Sequence, residues 1–212
     1  MAVFAVSAPA APAPAASMGV VMQANHASLD GSPAVNSATI SSGNTLSTDN
    51  SGALRARFGS SQIYLFPNSK VTVSQAANGF IANLTAGSVF VSSSAGQTFE
   101  VLADGAIVRS KILNPAANQQ SVAQISWVSP TQLMLTSRRG DLEVTMGSET
   151  QTVNEGSSYR MMIAPASQPG SSPAAQSGGS GAGAFYLVAI AIVAAGTGVA
   201  LWRAFESTSS TN

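Results

Sequence analysis

Between Met18 and Ile163 no apolar period of 3.6 residues persists for ten residues, so this stretch offers no amphipathic helix and must build its core from strands. What recurs instead is a short alternating run, closed every 8–12 residues by Gly, Asn, Asp or Pro. Ala53-Leu54-Arg55-Ala56-Arg57-Phe58 shows the pattern, with both arginines on one face, as in a half-buried strand. Strands are expected at residues 19–23, 53–58, 62–66, 70–74, 80–85, 88–92, 98–102, 106–111, 123–128, 132–137, 142–146, 149–152 and 158–163. The expected fold class is all-β, an antiparallel β-roll or sandwich over residues 18–163.

Two stretches are alike. Residues 84–91, with Gly87, precede a strand at 98–102 and the turn Asp104-Gly105; residues 135–144, with Gly140, precede 149–152 and the turn Asn154-Glu155-Gly156. Each reads as strand, Gly turn, strand, turn, strand, a unit that stacks into a short solenoid-like roll.

Charge excludes several functions. Charged residues make up 8% of the chain, against about 25% in ordinary soluble domains. Nine Lys and Arg balance nine Asp and Glu, and no basic stripe forms, so nucleic acid is not an expected partner. The absence of cysteine removes disulfides, thiol nucleophiles and Cys-ligated metals.

The two ends differ from this middle. Residues 184–202 are nineteen uncharged residues, about 28 Å as a helix and close to the hydrocarbon thickness of a bilayer. Phe185 and Tyr186 lie at one end of the run and Trp202 at the other, where interfacial aromatic belts belong. A single transmembrane helix is expected there, with Arg203 placing residues 203–212 as a short cytoplasmic tail and the β domain outside. A tail-anchored topology, with the β domain in the cytoplasm, is the rival. Ala191/Ala195 and Ala194/Gly198 have the small-residue spacing that pairs helices, so a homo-oligomer is an open alternative. Residues 164–183, rich in Pro, Ser, Gly, Gln and Ala and free of charge, read as a flexible linker with a reach of roughly 25 Å. Residues 1–17 read as a truncated signal peptide or a disordered Ala/Pro arm.

In order along the chain come Gly19-Val20-Val21, Gly43-Asn44-Thr45-Leu46-Ser47-Thr48, Gly52 through Arg57, Ile63 through Val71 with its Leu65-Phe66-Pro67-Asn68-Ser69, Ala86-Gly87 and Thr98 through Val101. This series resembles the FecR-type domain of bacterial envelope proteins. The resemblance implies a periplasmic, β-rich domain that senses or scaffolds through protein contact, without enzymatic activity or cofactor. The best-known members of that family carry a cytoplasmic N-terminal segment that binds a sigma factor, followed by a membrane helix. Here the apolar segment lies at the other end and no such N-terminal segment is visible, so sigma-factor regulation is not carried over.

No residue constellation points to catalysis, a cofactor or a metal. His26 is the only histidine, too few for a typical metal site or a Ser-His-Asp triad, and is expected in the turn before Asp30-Gly31. Asp30, Asp49, Asp104 and Asp141 adjoin Gly or Asn, as turn residues do. Arg138-Arg139 is expected in a turn, and Trp127 in the core. Arg55 and Arg57 are the candidate interaction patch. Three functions follow: a non-enzymatic, membrane-anchored extracytoplasmic sensor or scaffold that binds an envelope protein or glycan; a structural surface or filament component assembled through β edges; and a carbohydrate-active enzyme using Glu100, Asp104 or Glu143.

Overall fold

A computed structural model of the chain describes residues 16–94, 96–111 and 120–163, together with the backbone of 187–189. All regular structure in these residues is strand. The strands are β1 (Ser17–Leu29), β2 (Ser32–Pro33), β3 (Thr39–Ser41), β4 (Thr45–Phe58), β5 (Ser61–Leu65), β6 (Lys70–Ala76), β7 (Gly79–Ala86) and β8 (Ser88–Ser93). They continue as β9 (Thr98–Ala103), β10 (Ala106–Ser110), β11 (Ser121–Ser129), β12 (Gln132–Arg139), β13 (Leu142–Met146), β14 (Glu149–Val153), β15 (Ser158–Met162) and β16 (Leu187–Ala189).

One long strand organises the rest. β4 pairs with β1 along nearly its whole length; on its other edge its first residues pair with β6 and its last with β5. From that fork two limbs grow. One runs β6, β7, β9, β10, β13, β14; the other runs β5, β8, β11, β12, β15, β16. Every pairing is antiparallel except β7 with β9. The chain alternates between limbs in hairpins: β9–β10 in the first, β11–β12 in the second, β13–β14 in the first again. The all-β class is as expected; the single sheet curls like a barrel and holds one parallel pair where a wholly antiparallel one was expected. The two similar sequence stretches coincide with limb changes at Gly87 and Gly140, although Asp104-Gly105 closes a hairpin whereas residues 154–157 form another change of limb.

The limbs enclose one core, which draws fully buried residues from both: Leu46, Leu54, Ile63, Val71, Phe80, Val101, Ile125, Leu135 and Val144 among them. The rings of Phe58, on β4, and Phe80, on β7, pack 4.8 Å apart and join the limbs directly. The alternation carries this burial. In β4, Leu54, Ala56 and Phe58 point inward while Arg55 and Arg57 take the outer face. The second limb also hides apolar side chains on its outward-pointing positions, since Phe90 and Val122 are buried but lie outside the core cluster.

Changing limbs demands tight corners, and the Leu65–Ser69 motif makes one. Thr48 Oγ1 donates to the Phe66 carbonyl at 2.6 Å and accepts the Ser69 N–H at 3.0 Å. Ser69 Oγ donates to the Ser88 carbonyl and accepts the Ser88 N–H, both at 2.8 Å. Asn68 sits at φ 56, in the left-handed region that Asn tolerates. The residues that carry the family resemblance therefore lock two neighbouring corners, and they serve folding. Ser69→Ala takes the acceptor from the Ser88 N–H, while the Ser88 carbonyl keeps the Phe66 N–H at 3.1 Å; the expected cost is about 1 kcal/mol in urea unfolding, and a loss below about 0.5 kcal/mol would show the latch to be dispensable.

Of the expected membrane segment, Leu187–Ala189 are described, as a strand antiparallel to β15. The remainder of 184–202, the linker 164–183, residues 1–15 of the arm expected over 1–17 and the tail 203–212 lie outside the described residues, while Ser17 already belongs to β1. Among the described residues no helix is long and apolar enough to cross a membrane.

Candidate functional site

Three elements meet where the first limb passes to the second: the end of β7 with Gly87, the β9–β10 hairpin, and the tip of the β11–β12 hairpin. They line an open cleft of about 930 Å³, within the size range of ligand-binding clefts. Trp127 is its largest wall. The Trp127 indole Nε1 donates to the Leu84 carbonyl at 3.1 Å, and the Trp127 backbone N–H donates to the Gly87 carbonyl at 2.8 Å. The ring packs against the core yet is only half-buried, because it sits near the hairpin tip where the strand leaves the roll. The expectation that Trp127 is a core residue holds for one part of the ring; the rest lines the cleft.

The polar rim comes from Asn83, Thr85, Asp104 and Ser129. Asp104 occupies φ 43 and Gly105 φ 82, the paired left-handed residues of a two-residue hairpin turn, which fixes where the carboxylate leaves the backbone. No Lys, Arg or His lines the cleft. Val128, beside Trp127, is 48% exposed and extends the apolar surface outward.

The sequence-selected residues are dispersed. Arg55 and Arg57 share the outer face of β4, as expected, but Arg55 is tied to its neighbour: its Nε and Nη2 both donate to Gln62 Oε1, at 2.9 and 2.6 Å. Partial burial lowers the Arg55 pKa from its ordinary value. Across the sheet Arg55 stands in register with Tyr64, which stands beside Phe90. The patch is thus an aromatic and arginine row, not a free pair of cations.

His26 lies inside β1 at a bulge, φ 44, and not in the turn before Asp30. Opposite it β4 swells at residues 49–52, where a side chain on Gly52 would strike the His26 carbonyl at 2.2 Å. His26 Nδ1 is 3.7 Å from Asp49 Oδ2, and both are exposed. Among the described residues no three His, Cys, Asp or Glu gather as metal ligands. Asp30 and Asp141 do the turn work expected of them: Asp30 accepts the Thr45 N–H at 2.7 Å, and Asp141 accepts the Glu155 N–H at 3.0 Å. Arg138 and Arg139 complete β12 just before Gly140, and Arg139 Nη1 donates to Gln120 Oε1 at 3.2 Å.

Glu100 and Glu143 are both register neighbours of Arg109, which lies between them on the outer face of the first limb. Arg109 Nε donates to Glu100 at 2.7 Å. This is a solvated charge ladder, away from the cleft rim at Asp104.

No family model matches the chain, and neither does any curated protein. Among solved structures, the chain is similar to a candidate anti-sigma factor from Parabacteroides distasonis, in a crystal structure at 1.65 Å resolution. That likeness has 12% identity and a TM-score of 0.45 over 56% of this chain and 54% of the other. A second crystal structure of a candidate anti-sigma factor from the same organism, at 2.50 Å, gives 13% identity and a TM-score of 0.44 over the same shares. The chain thus spans about half the length of these structures.

Proposed function

We propose that this chain is a non-enzymatic module of the bacterial envelope, FecR-like in kind, tethered by its C-terminal apolar segment and acting outside the cytoplasm by binding. The observation that carries the reading is the cleft at Trp127, whose indole N–H and backbone N–H are each held by a carbonyl of the neighbouring β7 corner, with a rim of amide, hydroxyl and a single carboxylate. A cleft without cations gives no purchase to phosphate or other anions. Its aromatic wall and short polar side chains suit an uncharged, hydroxyl-rich glycan chain better than an acidic protein surface. A binding role without chemistry is supported further by Glu100 and Glu143, which engage or flank Arg109 and do not share a cleft with Asp104.

The test is co-sedimentation of the full chain with isolated cell-wall glycan. Trp127→Ala is expected to reduce retention at least tenfold, and Asn83→Ala at the rim several-fold. Asn83→Ala guards against a trivial result, because the exposed Asn83 side chain carries no part of the core. Retention unchanged in both variants would remove the cleft as the binding site.

A further inference from the structure

The second limb ends on β15, and Leu187–Ala189 add to its outer edge, with Ala189 facing Tyr159, Val188 facing Arg160 and Leu187 facing Met161. These three residues also belong to the uncharged run 184–202. Paired on β15, they leave only residues 190–202 as continuous apolar chain, thirteen residues or about 20 Å of helix. A bilayer core of about 30 Å needs at least about 17 residues. The docked strand and a complete membrane span therefore exclude each other. Twenty-three residues separate Ile163 from Leu187, a length of chain that permits either arrangement.

We infer that the outer edge of β15 is a strand-acceptor site for an extended apolar segment, occupied by this chain's own Leu187–Ala189 away from lipid and vacated when residues 184–202 enter a bilayer. The inference rests on the membrane tether proposed above. The pairing is short, so it contributes few backbone hydrogen bonds and yields readily to insertion of nineteen apolar residues. The edge also carries a cost: Arg160 Nε is buried and has no hydrogen-bond partner among the described residues. Release leaves the outward N–H and C=O groups of β15 open beside Met162, which is 54% exposed.

The chain has no cysteine, so an engineered pair reports without background. Opposed residues of an antiparallel pair stand about 4.5–5.5 Å apart at Cα, within disulfide reach. The full chain carrying Arg160→Cys and Val188→Cys is synthesised without detergent, with or without phosphatidylcholine vesicles, and oxidised. An intramolecular disulfide is expected in most lipid-free chains and in at least fivefold fewer vesicle-bound ones. Lipid-free yield no higher than for a Thr152→Cys, Val188→Cys control, which places one thiol on β14 at the other end of the sheet, overturns the docking site, as does a disulfide between two chains. Equal yield in vesicle-bound chains overturns the exclusion. Failure of the chain to bind vesicles refutes the tether, while the lipid-free arm still reads docking. In the unmutated chain, the β15 amides that point away from β12 are expected to lose hydrogen-exchange protection on vesicles; unchanged protection counts against release.

Discussion

Gly87→Ala is expected to remove about 4 kcal/mol of stability, a large share of the roughly 5–15 kcal/mol that holds an ordinary domain folded. Two costs add. Gly87 sits at φ 78, where an L side chain is strained by about 1–2 kcal/mol. The new Cβ would also stand 2.4 Å from both the Asn68 carbonyl and Ser69 Oγ, and 2.5 Å from Ser69 Cα. Two of those three atoms are backbone, so relief requires opening the corner and pulling apart the bonds between Ser69 and Ser88. Gly105→Ala provides the internal comparison. Its φ is 82 and nothing lies within 4 Å of the added carbon, so strain alone applies and the loss is about 1 kcal/mol. Urea midpoints for the two variants, at equal m, measure the difference. If they fall within about 1 kcal/mol of each other, close packing at the corner between limbs is not what fixes glycine at 87.

Phe80→Ala is the second large effect. Phe80 is wholly buried on β7, and its ring packs against Phe58, which belongs to the part of β4 paired with the opposite limb. The truncation removes aromatic area and leaves a hole between the two limbs that cannot close without moving both, a loss of about 3–5 kcal/mol. That corresponds to a fall in Tm of roughly 10 °C for a domain of this size. Phe80→Leu fills most of the space and is expected to lose less than half as much. Thermal unfolding followed by near-ultraviolet circular dichroism reads both variants. Equal losses for Ala and Leu would mean that ring-to-ring contact, and not filled volume, holds the limbs together.

From residue 53 onward the strands were legible, because each alternates apolar and polar positions and ends on a residue suited to a turn. Before residue 53 the same logic failed. The first half of β4, Thr45-Leu46-Ser47-Thr48-Asp49-Asn50, has one large apolar side chain, so its strand character was invisible; Thr48 is buried there by hydrogen bonds to Phe66 and Ser69, which composition does not announce. β1 was read as five residues because the bulge at His26 interrupts its pattern. Leu65-Phe66-Pro67-Asn68-Ser69 was visible as a motif, but its role as a latch depends on Ser88, nineteen residues away and across a corner. The cleft was less legible still. Its walls come from two hairpins and the corner at Gly87, and Trp127 looked like core because ring size says nothing of nearness to a hairpin tip. Arg55 and Arg57 were placed on the correct face, whereas the hold of Gln62 on Arg55 is a cross-strand fact that required the β4–β5 register.

β4 is shared property of the whole molecule, since β1 and both limbs are built on its two edges. Neither limb can therefore melt while the other survives, and a nascent chain released before the last hairpin holds an incomplete core with open edges. Assembly of this kind waits on encounters between distant parts of the chain, which places its folding on the millisecond-to-second scale and makes the freshly made polypeptide dependent on protection until the sheet closes.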